Sequence, residues 1–241
     1  MQLTTDYLVI GAGASGLAFT DALLAETPAD VILVDRRPGV GGHWLDTYPF
    51  VRLHIPSAYY GVGSLPLGED RIDDTGENAG FYERATGEAV CEHFAEAAEC
   101  LERTGRVRIL TQHEHVGRET DGEQLRELGT GTLQEVTVRR KVVDARYLEG
   151  SVPATHTPSF EVTPPARMVP VGELPAAAGS ASAYTVLGSG KTAVDACTWL
   201  LDNRREAGPD PVDPPARRLV SRPRGVSAAR AGRRDHRGHL P

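Results

Sequence analysis

The chain has 241 residues, 40% of them hydrophobic and 6% aromatic, and a net charge of −7. That suits a packed core in one large domain or one and a half small ones, at about 100–200 residues per domain. No run reaches the roughly 18 apolar residues of a spanning helix, and the N-terminus lacks the basic, apolar and small-residue pattern of an export signal. A cytoplasmic protein without membrane contact is expected. Residues 216–241 hold eight arginines and one aspartate, so the rest of the chain is acidic and would repel nucleic acid.

In chain order, Tyr7–Ile10 is a continuous apolar run of the kind that forms a parallel strand covered on both faces. A helix over Ser15–Glu26 follows, with Leu17, Ala18, Leu24 and Ala25 able to face the sheet; Pro28 stops it, and Val31–Val34 forms a second buried strand. From Pro38 to Asn78 no period is visible, yet Trp44, Tyr48, Phe50, Tyr59 and Tyr60 argue for an ordered, functional loop. Residues 86–103 read as a helix with Val90, Phe94, Ala97, Ala98 and Leu101 on one stripe. Short strands are predicted at Val107–Leu110, near His115–Arg118, at Leu133–Arg139 and at Val142–Ala145, the later ones as a small antiparallel meander.

Prolines 153, 158, 164, 165, 170 and 175 mark residues 151–183 as an extended connector. A second strand-turn-helix unit spans Tyr184 to about Asn203, and Arg218–Arg224 is a candidate for its next strand. The expected organisation is therefore residues 1–150, the connector 151–183, the second unit 184–215 and a basic, disordered tail 216–241. Cys91, Cys100 and Cys197 are scattered and read as buried or half-buried thiols. His113 and His115 share a strand face, but no third ligand is near and no metal is expected.

The chemistry lies in the glycines. Gly11-Ala12-Gly13-Ala14-Ser15-Gly16 is G-x-G-x-x-G between a strand and a helix. The first glycine permits the turn, the second lets backbone approach a pyrophosphate, and the third lets helix and strand pack closely. Free N–H groups around Ala14 and Ser15 and the positive helix end then face phosphate. The second strand ends in Asp35, 19 residues past Gly16, where an acid accepts ribose hydroxyls and disfavours a 2′-phosphate.

The next segment, Arg36-Arg37-Pro38-Gly39-Val40-Gly41-Gly42-His43-Trp44, resembles the G-G-x-W continuation of flavin-containing and Baeyer–Villiger monooxygenases. The likeness continues through Tyr48–His54 and Pro56–Tyr60. It implies an α/β fold: a Rossmann-like FAD-binding domain with a parallel sheet and a meander, then the start of a second dinucleotide-binding domain. It also implies a loop, with Arg36, Gly42, His43, Trp44 and Arg52, running from the pyrophosphate toward the isoalloxazine ring. Two features depart from the Baeyer–Villiger pattern. His54 stands where those enzymes have an aspartate, and the F-x-G-x-x-x-H fingerprint is absent, although Ala154–Pro158 lies where a linker would cross. His54 either touches the flavin or is a satisfied histidine of a polar loop; no catalytic side chain is assigned.

Gly188-Ser189-Gly190-Lys191-Thr192-Ala193 is G-x-G-x-x-A, again between strand and helix. A P-loop needs glycine five residues before Gly190, and that position is Thr185. The resemblance instead makes this the opening of an NADP(H) domain, with Ser189, Lys191 and Thr192 on the phosphates, and Asp144-Ala145 part of the crossover strand beside FAD. The family's pattern continues beyond a second domain, whereas here 38 residues follow Asn203, so a truncated or frameshifted form is expected. The implied activity is hydride transfer from NAD(P)H to FAD followed by oxygen activation on a small organic substrate. A flavin- or nucleotide-binding fragment without turnover is the alternative.

Overall fold

Residues 3–76, 78–119, 122–146, 160–179, 181, 183–206 and 221–222 are described by the structure, a computed structural model. They fall in two compact units, Met1–Ala177 and Ala178–Pro241.

In the first unit, β1 (Leu3–Ile10), β2 (Val31–Val34) and β5 (Val107–Leu110) lie parallel, with β1 central and β2 between it and β5. β2 is Val-Ile-Leu-Val and buried at all four positions, as a strand covered on both faces must be. Between β1 and β2 runs α1 (Ala14–Glu26), which buries Gly16, Leu17, Thr20 and Leu24. Ala25, expected on that face, is exposed: Thr20 takes the inner position, its hydroxyl donating to the Gly16 carbonyl at 2.8 Å.

The segment after β2 forms a short antiparallel pair, β3 (Gly61–Val62) with β4 (Leu65–Pro66), and two 3-10 turns, Gly42–Asp46 and Ser57–Tyr59. α2 (Gly87–Arg103) starts where the Thr86 hydroxyl accepts from Ala89 N–H at 3.1 Å. All five residues of its predicted stripe are buried, with Phe94 and Val90 at 0% exposure. α1, α2 and β3 cover one face of the sheet around Leu17, Leu33, Val90 and Phe94.

The predicted strands at 133–139 and 142–145 are one, β8 (Leu133–Asp144). Arg139-Arg140-Lys141 interrupts the apolar pattern without ending the strand. A register shift against β1 falls there, between Thr5↔Val138 and Tyr7↔Lys141, and the extra residue is a bulge. Asp6 and Asp30 receive the charge, at 2.9 and 3.1 Å from the Arg139 guanidinium. β8 pairs parallel with β1 along its length and antiparallel with β7 (Gly122–Glu127) through its first half; β7 then pairs with β6 (His113–Glu119). Parallel sheet and meander are thus one six-stranded sheet, ordered β5-β2-β1-β8-β7-β6. Leu125 and Val136 of the meander pack with Leu8, Ile10, Ile32, Val34 and Leu110, the sheet's second face. His113 and His115 take strand-side partners: Nδ1 of His113 lies 2.7 Å from the Thr111 carbonyl, and Nε2 of His115 lies 2.8 Å from Glu123. Cys100 is exposed, contrary to expectation, while Cys91 and Cys197 are half-buried.

Within the expected extended connector, residues 151–159 lie outside the described residues. The part that is described is not extended throughout. Pro170 caps a 3-10 turn, Val171–Glu173, that leads into a single helical turn, α3 (Leu174–Ala177), with Leu174 buried. Pro175 sits in the first turn, where a missing N–H costs nothing.

In the second unit β9 (Val186–Leu187) leads to α4 (Lys191–Glu206), and β10 (Ser221–Arg222) pairs parallel with β9. β10 falls inside the strand predicted at Arg218–Arg224. The rest of the tail lies outside the described residues. Among those described, no helix is long and apolar enough to cross a membrane.

His93 of α2 was not anticipated. It is 6% exposed, and its Nε2 accepts the Val62 N–H at 3.2 Å. Burial lowers its pKa below 6.5, with Glu96 opposing. A base whose folded pKa is depressed binds fewer protons folded than unfolded, so stability is full above pH 6.5 and falls as the pH drops below it. Denaturant melts of the wild type and His93→Gln between pH 7.5 and 5 check this. The substitution should flatten the acid-side loss.

Candidate functional site

β1 ends at Ile10, and the chain turns into α1 through three glycines with different duties. Gly11 has φ +107°, a conformation L side chains rarely adopt, and its N–H donates to the Val34 carbonyl at 2.7 Å. A Cβ there would lie 3.2 Å from Arg146 Cγ and 3.4 Å from the Ala145 carbonyl carbon. Gly16 faces back on the turn: a Cβ would fall 1.9 Å from the Gly11 carbonyl oxygen. Gly13 is the N-cap of α1. Its backbone is extended, no side chain caps the helix, and the first turn holds no acidic residue. The N–H groups of that turn have no intrahelical acceptor, and the helix brings no acidic side chain of its own to its positive end.

A second glycine pair closes on the first. Gly41 N–H donates to the Ala12 carbonyl at 2.9 Å, and a Cβ on Gly42 (φ +60°) would stand 3.0 Å from Gly13 Cα. Two backbones meet there with no side chain between them. Gly41, read in the sequence only as part of the G-G-x-W motif, was given no role of its own, and Arg146 was not anticipated. The Gly39-Val40-Gly41-Gly42 run was the available signal for the former; nothing local marks the latter.

Asp35, 6% exposed at the end of β2, is tied to the same turn. One carboxylate oxygen accepts Ala12 N–H and the other Arg37 N–H, both at 2.8 Å. Since a carboxylate offers about four lone-pair sites, each oxygen keeps one more. β8 ends on the other side: Ala145 N–H donates to the Ile10 carbonyl at 2.8 Å, which brings the predicted crossover strand to the glycine turn. There Arg146 pairs with Asp144 at 2.8 Å, and its hydrogen bonds hold the exposed Asp144 carboxyl at about 2.

Of the loop residues, Trp44 is the best fixed: its indole N–H donates to the Tyr60 hydroxyl at 2.6 Å, and Tyr60 packs on Phe94 with ring centroids 6.0 Å apart. Burial raises the Tyr60 pKa, with the Trp44 hydrogen bond opposing. His43 packs on Trp44 at 5.5 Å. Arg36, Arg52 and His54 are exposed, and Ala14 and Ser15 lie at the start of α1, half-buried and exposed respectively. Arg52 lines a cleft with Arg84, Asp73 and Asn78.

In the second unit the G-x-G-x-x-A motif forms its predicted turn. Gly188 has φ +129°, and a Cβ there would reach Ala193 Cβ at 3.8 Å. Ser189 and Gly190 are exposed, Thr192 is half-buried at the start of α4, and the Lys191 ammonium contacts the Asp195 carboxylate one turn on.

Residues 9–56 match the model of the NAD(P)-binding Rossmann-like domain family. Over 202 residues the chain is 47% identical to an uncharacterized protein of Mycobacterium tuberculosis, a match that takes in 83% of this chain and 36% of that one. An uncharacterized protein of Mycobacterium bovis matches over the same length and at the same identity. The chain thus spans about a third of the length of these relatives, at 36%. Among solved structures, a doubly substituted flavin monooxygenase from Stenotrophomonas maltophilia superposes with a TM-score of 0.51 at 14% identity, over 83% of this chain and 55% of that one. A bacillithiol disulfide reductase from Staphylococcus aureus gives 0.50 at 13% identity over the same shares. Residues 9–56 are thus similar to the NAD(P)-binding Rossmann-like domain family, in a chain that shares its fold with this flavin monooxygenase and this disulfide reductase.

Proposed function

We propose that the β1–α1 turn binds FAD and that the chain supplies the nucleotide-binding part of an NAD(P)H-dependent oxidoreductase of monooxygenase type. The observation that carries this reading is the approach of Gly42 to Gly13 over an uncapped, acid-free helix start. The arrangement fits a pyrophosphate: N–H donors, a positive helix end and no Cβ in the way. Asp35 has lone pairs left for ribose hydroxyls, while Gly42, His43 and Trp44 carry the chain away from the phosphates along the dinucleotide. Arg36 lies exposed beside Asp35. Bound FAD would supply hydride acceptance and oxygen chemistry; the protein's share is to hold it, orient it and keep water off.

In the second unit Gly188 to Thr192 would take the phosphates of NADP(H). Lys191 would exchange Asp195 for phosphate, and the substrate would be a small organic molecule. A second reading, NAD(P) at the first turn, is favoured by the description of the family that residues 9–56 match. Calorimetric titration of the protein with FAD, NADH and NADPH separates the two. FAD is expected to bind at the first turn in competition with ADP; ADP-competitive binding of NADH without any of FAD would reverse the assignment.

A further inference from the structure

His93, the buried histidine of α2, sits where the loop over the glycine turn is anchored. Its Nε2 accepts the Val62 N–H at 3.2 Å, so Nε2 is the ring nitrogen without a proton. The same nitrogen lies against Gly61, where a Cβ would stand 2.5 Å from it and φ is +123°. β3 thus meets His93 through one hydrogen bond and one close backbone contact at a single atom.

From β3 the contacts continue to the glycine turn. Tyr60 directly precedes Gly61. Its hydroxyl accepts the Trp44 indole N–H at 2.6 Å, and its ring packs on Phe94, the residue after His93. Trp44 belongs to the 3-10 turn Gly42–Asp46, whose first residue is the one that closes on Gly13.

An imidazolium carries two N–H donors and no acceptor. A proton on Nε2 would face the Val62 N–H donor to donor, at a residue only 6% exposed, and buried donors left unpaired are costly. Either His93 stays neutral or β3 leaves it. Burial opposes the proton on His93, and Glu96 of the same helix favours it. β3 itself carries no titratable side chain. Among the other elements packed on α2, α1 brings Asp21, which accepts from Ser64, and the exposed Glu26; β5 brings the exposed Arg108. The Gly42–Asp46 turn brings His43 and Asp46, which interact with each other and with Arg37.

We infer that His93 is an acid-sensitive latch on the loop over the glycine turn: a proton on Nε2 parts β3 from α2 and, through Tyr60, loosens Trp44 and the Gly42 turn. For the ligand it regulates, this rests on the reading of the glycine turn as an FAD site; the latch itself does not. A ligand that needs the closed loop binds the form with neutral His93. Affinity is therefore full above pH 6.5 and falls below it, the side to which burial moves the group.

Two titrations of the full chain test the latch. Between pH 7.5 and 5, NMR follows the His93 imidazole and the Trp44 indole N–H of the ligand-free protein, with Trp199→Phe to assign the other indole. Both signals should change with one midpoint below pH 6.5 while helical circular dichroism is kept. In His93→Gln, whose amide oxygen still accepts from Val62, the indole signal should stay constant. FAD, whose diester pyrophosphate takes up no proton in this range, is then titrated by calorimetry. Its affinity should fall about tenfold from pH 7.5 to 5 in the wild type and stay within about twofold in His93→Gln, since one linked proton allows at most about tenfold per pH unit. An indole signal that ignores the His93 titration, moves equally in His93→Gln, or changes only as helicity is lost would overturn the latch. FAD affinity with the same pH dependence in both proteins would overturn its control of the site. No FAD binding at any pH, with the two signals still coupled, would overturn the flavin reading and leave the latch standing.

Discussion

Gly16→Ala is expected to destabilise the protein by about 3 kcal/mol or more, beyond the usual range for one added methyl. The methyl would fall 1.9 Å from the Gly11 carbonyl oxygen and 3.4 Å from Leu33 Cδ1. The first of these is backbone, held by the Gly11 N–H bond to Val34 on one side and by β8 on the other. α1 would have to lift away from β1 and β2, opening the core around Leu17. Chemical denaturation measures the loss, and Gly129→Ala is the control. Gly129 has open space within 4 Å and no positive φ, so its substitution should change stability by less than about 0.5 kcal/mol.

Asp35→Asn should cost roughly 2–6 kcal/mol, since two buried or half-buried N–H donors lose a charged acceptor at about 1–3 kcal/mol each. An amide can offer its oxygen to Ala12 or to Arg37, but its NH2 group then faces the other donor. The same change removes the acceptor proposed for ribose, so nucleotide affinity should fall together with stability. Comparison with Asp35→Glu divides the two effects. The longer acid keeps the charge but is displaced, and should retain more affinity than the amide at similar stability.

How far the sequence foretold this molecule depended on how local each cause was. The glycine turn was legible because backbone clearance demands glycine at fixed spacing, and the end of β2 at Asp35 because an apolar run stops there. The α2 stripe was legible because its period is helical, and Val90, Phe94 and Leu101 obey it. β8 was not, because Arg139, Arg140 and Lys141 look like a break until Asp6 and Asp30 are placed beside them by β1 and β2. Ala25 was misplaced because Thr20, polar by composition, can bury its hydroxyl on its own helix carbonyl. His93 gave no sign at all: it acquires its partner, the Val62 N–H, only through a contact made by a distant segment.

The most direct measurement on the glycine turn is flavin binding by Gly13→Val beside the wild type. Gly13 leaves the face proposed for the pyrophosphate open, with Gly42 Cα 3.4 Å from where a Cβ would stand; a valine would place its methyl groups against Gly42 and over the first-turn N–H groups. The protein purified or reconstituted with FAD is read by absorbance near 450 nm, a property of the cofactor, after gel filtration. The wild type should retain flavin and Gly13→Val should elute colourless while still folded, its helical circular dichroism kept even where the contact with Gly42 lowers the denaturation midpoint. Full flavin absorbance retained by a folded Gly13→Val would contradict the placement of the pyrophosphate at this turn.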